Sequence, residues 1–302
     1  MDPELAAVTN RYLEHLSEVD LALIVRGRDA KPTPPDEPRA RLREQGRILE
    51  LLGQPELVAQ LLGAHRDERR LIGASPFLLF AVAIERVTQD LASALYVNEW
   101  LGLRQRAPVF DVAPLRHFLN ASRRRLFLAE LLASYTKVAS GSMLVPTRRG
   151  LRRQRFSELD PVRLASLIDH VDPSERPGVL RRLGDLALFL TGVFPDQVAR
   201  RGFGPVDEQR LRRSAGVGVG TPAAGHPPAP APFDGGAVSL LEMLGRRWYG
   251  AAFDLLPRPA PVTSAVLGEM GELFGEARRI LNFLTERYLF PERDRLFGLG
   301  SA

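Results

Sequence analysis

The chain has 302 residues, 45% of them hydrophobic and 25% charged, the balance of an ordinary globular protein of one or two domains. It contains no cysteine, which excludes thiolate zinc sites, iron–sulfur ligation, cysteine nucleophiles and disulfides, and five scattered histidines leave little for a histidine metal cluster. The formal net charge is +5, and 39 of the 41 basic residues are arginine.

Apolar residues recur at helical spacing nearly throughout. Asp2-Pro3 reads as a cap and first helical residue, and Leu5, Val8, Tyr12, Leu16, Val19 and Leu23 then predict one amphipathic helix to about Val25. The proline-rich stretch 27–38 is a loop, because its prolines cannot continue a helix. A second helix is expected over about 37–52 and a third from Pro55. Ser75-Pro76 caps a very apolar helix to about Tyr96, placed at the centre of the fold. Asp111 starts a short helix, and Ser122 to about Val138 forms another.

The pattern breaks over 140–159. Met143 to Val145 is strand-like, Arg149-Gly150 suits a turn, and Leu151, Arg153 and Arg155 alternate. A small basic hairpin and an ordered loop both fit, and Pro146 restricts a strand here to an edge. Helices resume at Asp160-Pro161, then from about Ser174 to Gly192 and from Val206 to Arg213. Gly, Pro and Ala make up 16 of the 23 residues at 214–236, so this stretch reads as a flexible linker. Beyond it, Val238–Leu256 and Ser264–Leu289 form a C-terminal helical hairpin, each helix with one apolar stripe. The expected architecture is all-α, about ten helices in one compact unit: an irregular bundle over 1–213, the linker, and the hairpin over 238–302 docking back on the bundle. The same stripes could instead serve a second copy, giving a homo-oligomer.

The familiar catalytic patterns fail one by one. The glycines of GVGVG (216–220) follow a helix and precede proline, unlike a phosphate loop, which lies between strand and helix. His15 with Glu18 and His65 with Glu68 lie one helical turn apart but lack a second pair, and His117, His170 and His226 have no catalytic neighbours in sequence. Asp185, inside RRLGDLALFL, is best read as an ion pair with Arg181 or Arg182. A helix-turn-helix over 160–192 is disfavoured, because its second helix is too apolar to read base edges. No serine elbow or DDxxD pattern occurs, so the site set contains no catalytic residue, metal ligand or cofactor.

Charge position says more than charge total. An arginine excess beside abundant Ala, Gly and Pro follows from GC-rich coding, yet coding bias does not segregate charge. Between Arg123 and Arg155 lie eight arginines and Lys137 against one acid, Glu130. Arg123, Arg124, Arg125, Arg148, Arg149, Arg152, Arg153 and Arg155 are therefore the candidate anion-binding residues, since guanidinium forks match phosphate and carboxylate oxygens. Three cations in a first helical turn also oppose the helix dipole, so stability alone does not call for them.

At VLRRLGDLALFLTGVFPD (179–196), LLEMLGRRWY (240–249) and ARRILNFLTERYLFP (277–291) the chain resembles a set of uncharacterised helical proteins of GC-rich bacteria. The resemblance implies a shared helical fold and a cytoplasmic setting, and it carries no activity or site residue with it. No apolar run is long enough to span a bilayer, and the N-terminus lacks an export signal, so a cytoplasmic protein is expected. The leading functional expectation is a non-enzymatic binding or regulatory protein whose Arg-rich surface meets nucleic acid or an acidic protein. A helical scaffold for protein partners, and an enzyme of unfamiliar type using Asp185 with a nearby Tyr or His, are the alternatives.

Overall fold

In a computed structural model the protein is mostly helical, and the structure describes residues 3–26, 48–63, 73–136, 140–147, 150–157, 159–216, 236–257, 262–290 and 292–297. Fifteen α-helices, twelve of them seven residues or longer, and two two-stranded hairpins occur among these residues. None of the described helices is long and apolar enough to cross a membrane. The proline-rich loop at 27–38 and most of the linker at 214–236 lie outside the described residues.

Local chemistry explains where helices begin. The single N-terminal helix expected from apolar spacing is two, α1 (Pro3–His15) and α2 (Glu18–Arg26). Ser17 causes the break. Its hydroxyl accepts from the Asp20 amide at 3.2 Å while Asp20 accepts from the Ser17 amide at 2.9 Å, a reciprocal cap that starts a new helix. Asp20 is fully buried, and its other oxygen accepts from the Ser75 amide at 2.8 Å. Two short helices follow, α3 (Ile48–Leu52) and α4 (Pro55–Leu62). Ser75 in turn caps α5 (Pro76–Ser93) through the Leu78 amide at 3.1 Å, as its sequence indicates.

The chain divides into two compact units. The first comprises 1–97, 109–136 and 283–302. It is built on α5, whose residues Phe77 to Glu85 are all buried, and which packs against α3, α4, α6 (Ala113–Asn120) and α7 (Ser122–Ser134). Helix α1 lies on α7, and Phe297, beyond the short α15 (Arg293–Leu296), stacks on Phe80 at 5.7 Å. Arg116 on α6 closes the end of α5 by donating to the Leu91 and Ala94 carbonyls, both at 2.7 Å, satisfying acceptors that a helix C-terminus leaves open.

The second unit comprises 98–108 and 137–282. Strands β1 (Val97–Gly102) and β2 (Gln105–Val109) pair, a hairpin in a stretch to which the sequence reading assigns no element. Its turn holds Arg104 at φ 58°, a left-handed conformation normally left to Gly or Asn. Asp196 supports that turn. This residue opens α10 (Pro195–Arg201) and accepts from the Arg104 amide at 3.0 Å, the Trp100 indole at 2.9 Å and the Arg106 guanidinium at 3.3 Å. Burial alone would raise its pKa, but the three donors outweigh it and hold the carboxyl below its ordinary value. A depressed pKa means stability present above the unfolded value and lost as pH falls through the folded one. Asp196→Ala is expected to cost about 1–2 kcal/mol at neutral pH. The deficit should shrink on acidification below about pH 4, read by urea melts followed through Trp100 fluorescence.

The core of this unit is the crossing of α9 (Arg176–Val193) with α12 (Ala237–Asp254). Glycines let the helices meet closely: Gly184 faces the Tyr249 ring, and Gly245 faces Phe274 and Ala187. The long C-terminal helix expected from spacing is interrupted, giving α13 (Val262–Glu272) and α14 (Phe274–Leu284), then a π-helical turn over Thr285–Leu289. Arg246 accounts for the interruption, because it takes the Glu272 carbonyl at 2.8 Å and removes that acceptor from the helix ladder. Leu241, Leu244, Trp248 and Ala252 of the α12 stripe, with Met270, Phe274 and Leu281 of the next, are all buried within this one chain.

Candidate anion-binding site

Helix α7 opens on Arg123, Arg124 and Arg125, and all three side chains turn to partners inside the first unit. Arg123 pairs with Glu4 at the start of α1. Arg124 is buried, lies over the Phe118 ring at 5.2 Å and donates to the His117 carbonyl at 3.1 Å. Arg125 donates to Glu85 of α5 at 2.7 Å and to the Leu119 carbonyl, and both members of that pair are about nine-tenths buried. These cations have a structural task that the local charge sum does not show. They connect α7 to α1, α5 and α6.

The acid between them behaves likewise. Glu130 accepts from Arg11 at 2.8 Å and contacts His15 Nε2 at 2.6 Å, so His15 meets a carboxylate 115 residues away, and the break at Ser17 puts Glu18 on the next helix rather than one turn along the same one. Burial pushes the Glu130 pKa up, while His15 and Arg11 pull it down and prevail. With Arg123–Glu4, this clamps α1 to α7 at both ends.

The other five candidates belong to the second unit. Strands β3 (Ser140–Thr147) and β4 (Gly150–Ser157) pair antiparallel, with Ser142 opposite Arg155, Leu144 opposite Arg153 and Val145 opposite Arg152. The hairpin is thus the outcome of the two readings left open, and Pro146 sits in a two-stranded sheet, where every strand is an edge. Arg152, Arg153 and Arg155 lie on β4, while Arg148 and Arg149, between the strands, are outside the described residues. Residues 140–157 carry five arginines and no carboxylate. Strand β4 leans on α8 (Pro161–Ala165), and the carboxylate at the start of that helix is committed: Asp160 accepts from the Val162 and Arg163 amides at 3.1 and 3.3 Å and pairs with Arg163.

The same unit exposes Arg200 and Arg201 at the end of α10 and Arg213 at the end of α11 (Pro205–Ser214), with no ion pair to any of the described residues. Helix α11 packs against α8, and its two acids are matched within the helix, Asp207 with Arg210 at 3.5 Å and Glu208 with Arg212 at 2.6 Å. Counting charge along the sequence draws attention to Arg123–Arg125 and passes over these three. The signal for them is slight: each closes a helix, where a cation also suits the dipole.

Asp185 has a closer partner than Arg181. The Tyr249 hydroxyl donates to it at 2.8 Å, whereas Arg181 Nε lies 3.8 Å from its other oxygen. Tyr249 is fully buried and Asp185 nearly so, and the bond ties α9 to α12. Among the described residues no three His, Asp or Glu side chains converge in a way that could hold a metal ion. His65, Glu68 and His226 lie outside the described residues. No protein-family model, curated protein or solved structure matches the chain.

Proposed function

We propose that the protein is a binding protein that presents the β3–β4 hairpin to an anionic partner. The supporting observation is the arginine-rich ribbon: five arginines in 18 residues, no acid among them, and Asp160 of the helix it leans on already used as a cap. Arg123, Arg124 and Arg125 are not part of this reading, because their guanidinium groups serve Glu4, the His117 carbonyl and Glu85. Guanidinium forks bind oxyanions in pairs of parallel hydrogen bonds, so a dense arginine ribbon suits a polyanion better than a single small anion.

Fluorescence anisotropy with labelled polyanions at two salt concentrations tests the reading. Five phosphate contacts give log K a slope of roughly −4 to −5 against log salt. Replacing Arg148, Arg149, Arg152 and Arg153 by Ala is expected to flatten that slope to about −1, with an unchanged melting temperature. Binding that is absent, or identical in the quadruple variant, refutes the proposal.

A further inference from the structure

We infer that a second anion site, separate from the β3–β4 hairpin, lies where α11 meets α12, and that Arg213 and Arg247 hold a phosphate group there. A chain of two hydrogen bonds fixes the meeting point. The Trp248 indole of α12 donates to the Ser214 hydroxyl at 3.2 Å, and that hydroxyl donates on to the Leu211 carbonyl at 2.7 Å. Trp248 and Leu211 are fully buried, so the last turn of α11 is anchored on α12. Arg213 precedes Ser214 and Arg247 precedes Trp248, which puts each cation one residue from the anchor, about 3.8 Å along its own backbone.

Both arginines are exposed, and neither makes an ion pair with any of the described residues. The acids of the two helices are engaged or out of reach. On α11, Asp207 and Glu208 pair with Arg210 and Arg212. On α12, Glu242 takes Arg246 and Arg278 at 3.1 and 2.9 Å, and Asp254 stands two turns past Arg247, roughly 10 Å along the axis. The carbonyls at the end of α11, which would repel an anion, are occupied: the Ala215 and Gly216 amides donate to Arg212 and Arg213 at 3.2 and 3.0 Å. Charge then selects the ligand. Two guanidinium groups without a carboxylate are balanced by one dianion, which a phosphate monoester approaches at neutral pH and a carboxylate does not. Each fork offers parallel donors to the oxygens of such a group.

Isothermal titration calorimetry of the full chain with phenyl phosphate, inorganic phosphate and benzoate provides the test. Phenyl phosphate is expected to bind at least about tenfold more tightly than benzoate, because it engages the second guanidinium. Its affinity should rise about tenfold between about pH 5 and pH 7.5, as the ester loses its second proton near pH 6. Neither helix carries a histidine that would change charge in that range. Arg213→Ala and Arg247→Ala should each weaken phenyl phosphate about tenfold, and Arg247→Lys should recover only part of the loss. Replacing Arg148, Arg149, Arg152 and Arg153 by Ala should leave this binding unchanged, whatever becomes of the polyanion reading. Tighter binding of phenyl than of inorganic phosphate supports an organic monoester as the ligand, and equal binding supports phosphate itself. No binding, benzoate bound as tightly, affinity kept without both Arg213 and Arg247, or affinity lost with the hairpin arginines overturns the inference. The pH and benzoate arms need no variant, so they stand even where a replacement unfolds the chain.

Discussion

Arg125→Met is expected to lower the unfolding free energy by about 3 kcal/mol and to leave polyanion affinity untouched. Removing the guanidinium strands Glu85, whose side chain is about nine-tenths buried and has Arg125 at 2.7 Å. Burial already raises the Glu85 pKa, and Arg125 offsets only part of that rise. A raised folded pKa means that stability is complete below the unfolded value, near 4.5, and declines as pH climbs through the folded one. Without Arg125 the folded pKa climbs further, so the variant's deficit should be larger at pH 8 than at pH 5. Circular dichroism in a urea series at both pH values reads this directly. Pairing the change with Glu85→Leu should recover most of the loss, since two apolar residues leave no stranded charge. A variant that keeps its stability but loses polyanion binding would return Arg125 to the binding surface.

Gly245→Ala is the second large effect. A Cβ there would sit 2.6 Å from Phe274 Cζ and 3.1 Å from Ala187 Cβ, and neither a buried ring nor a helix-borne methyl group can retreat in a packed crossing. The gain in helix propensity, about 1 kcal/mol, is outweighed by overpacking, and the net cost is expected to be about 2 kcal/mol. Gly250 provides the control. It lies on the same helix with no atom within 4 Å of its would-be Cβ, so Gly250→Ala should stabilise by about 0.5–1 kcal/mol. Opposite signs at two glycines five residues apart, measured by chemical denaturation through Trp248, would locate the close approach of α9 and α12. Equal signs would mean that the crossing is looser than described.

Helix starts were legible wherever a cap lies next to the residues it caps. Ser75-Pro76 and Asp160-Pro161 are examples, because Ncap chemistry acts within three residues. Breaks inside a helix were not. Apolar spacing runs in phase across Ser17 and across Leu273, and the causes lie in a reciprocal cap and in Arg246, which reaches the Glu272 carbonyl 26 residues away. The β1–β2 hairpin lacks both clean alternation and a Gly or Asn turn, and Asp196, some ninety residues on, supports the strained Arg104 instead.

The candidate site divides along the same line. Five arginines within eight residues, without an acid, were visible as a run, and pairing of β3 with β4 gives that run one backbone frame. The other three belonged to the same local count, yet Glu4 lies 119 residues from Arg123 and Glu85 lies 40 from Arg125. A charge sum over neighbours in sequence is blind to such answers.

The two carbonyls that Arg116 holds at the end of α5 show what the arginine bias has become in this fold. A planar fork satisfies both at 2.7 Å with one side chain, and Arg125 likewise serves a carboxylate and a carbonyl at once. Lysine would keep every unit of charge but concentrates its donors on one tetrahedral nitrogen, which cannot span acceptors so separated. A lysine-rich version of this chain would therefore carry the same charge at neutral pH and still leave acceptors open at its helix ends.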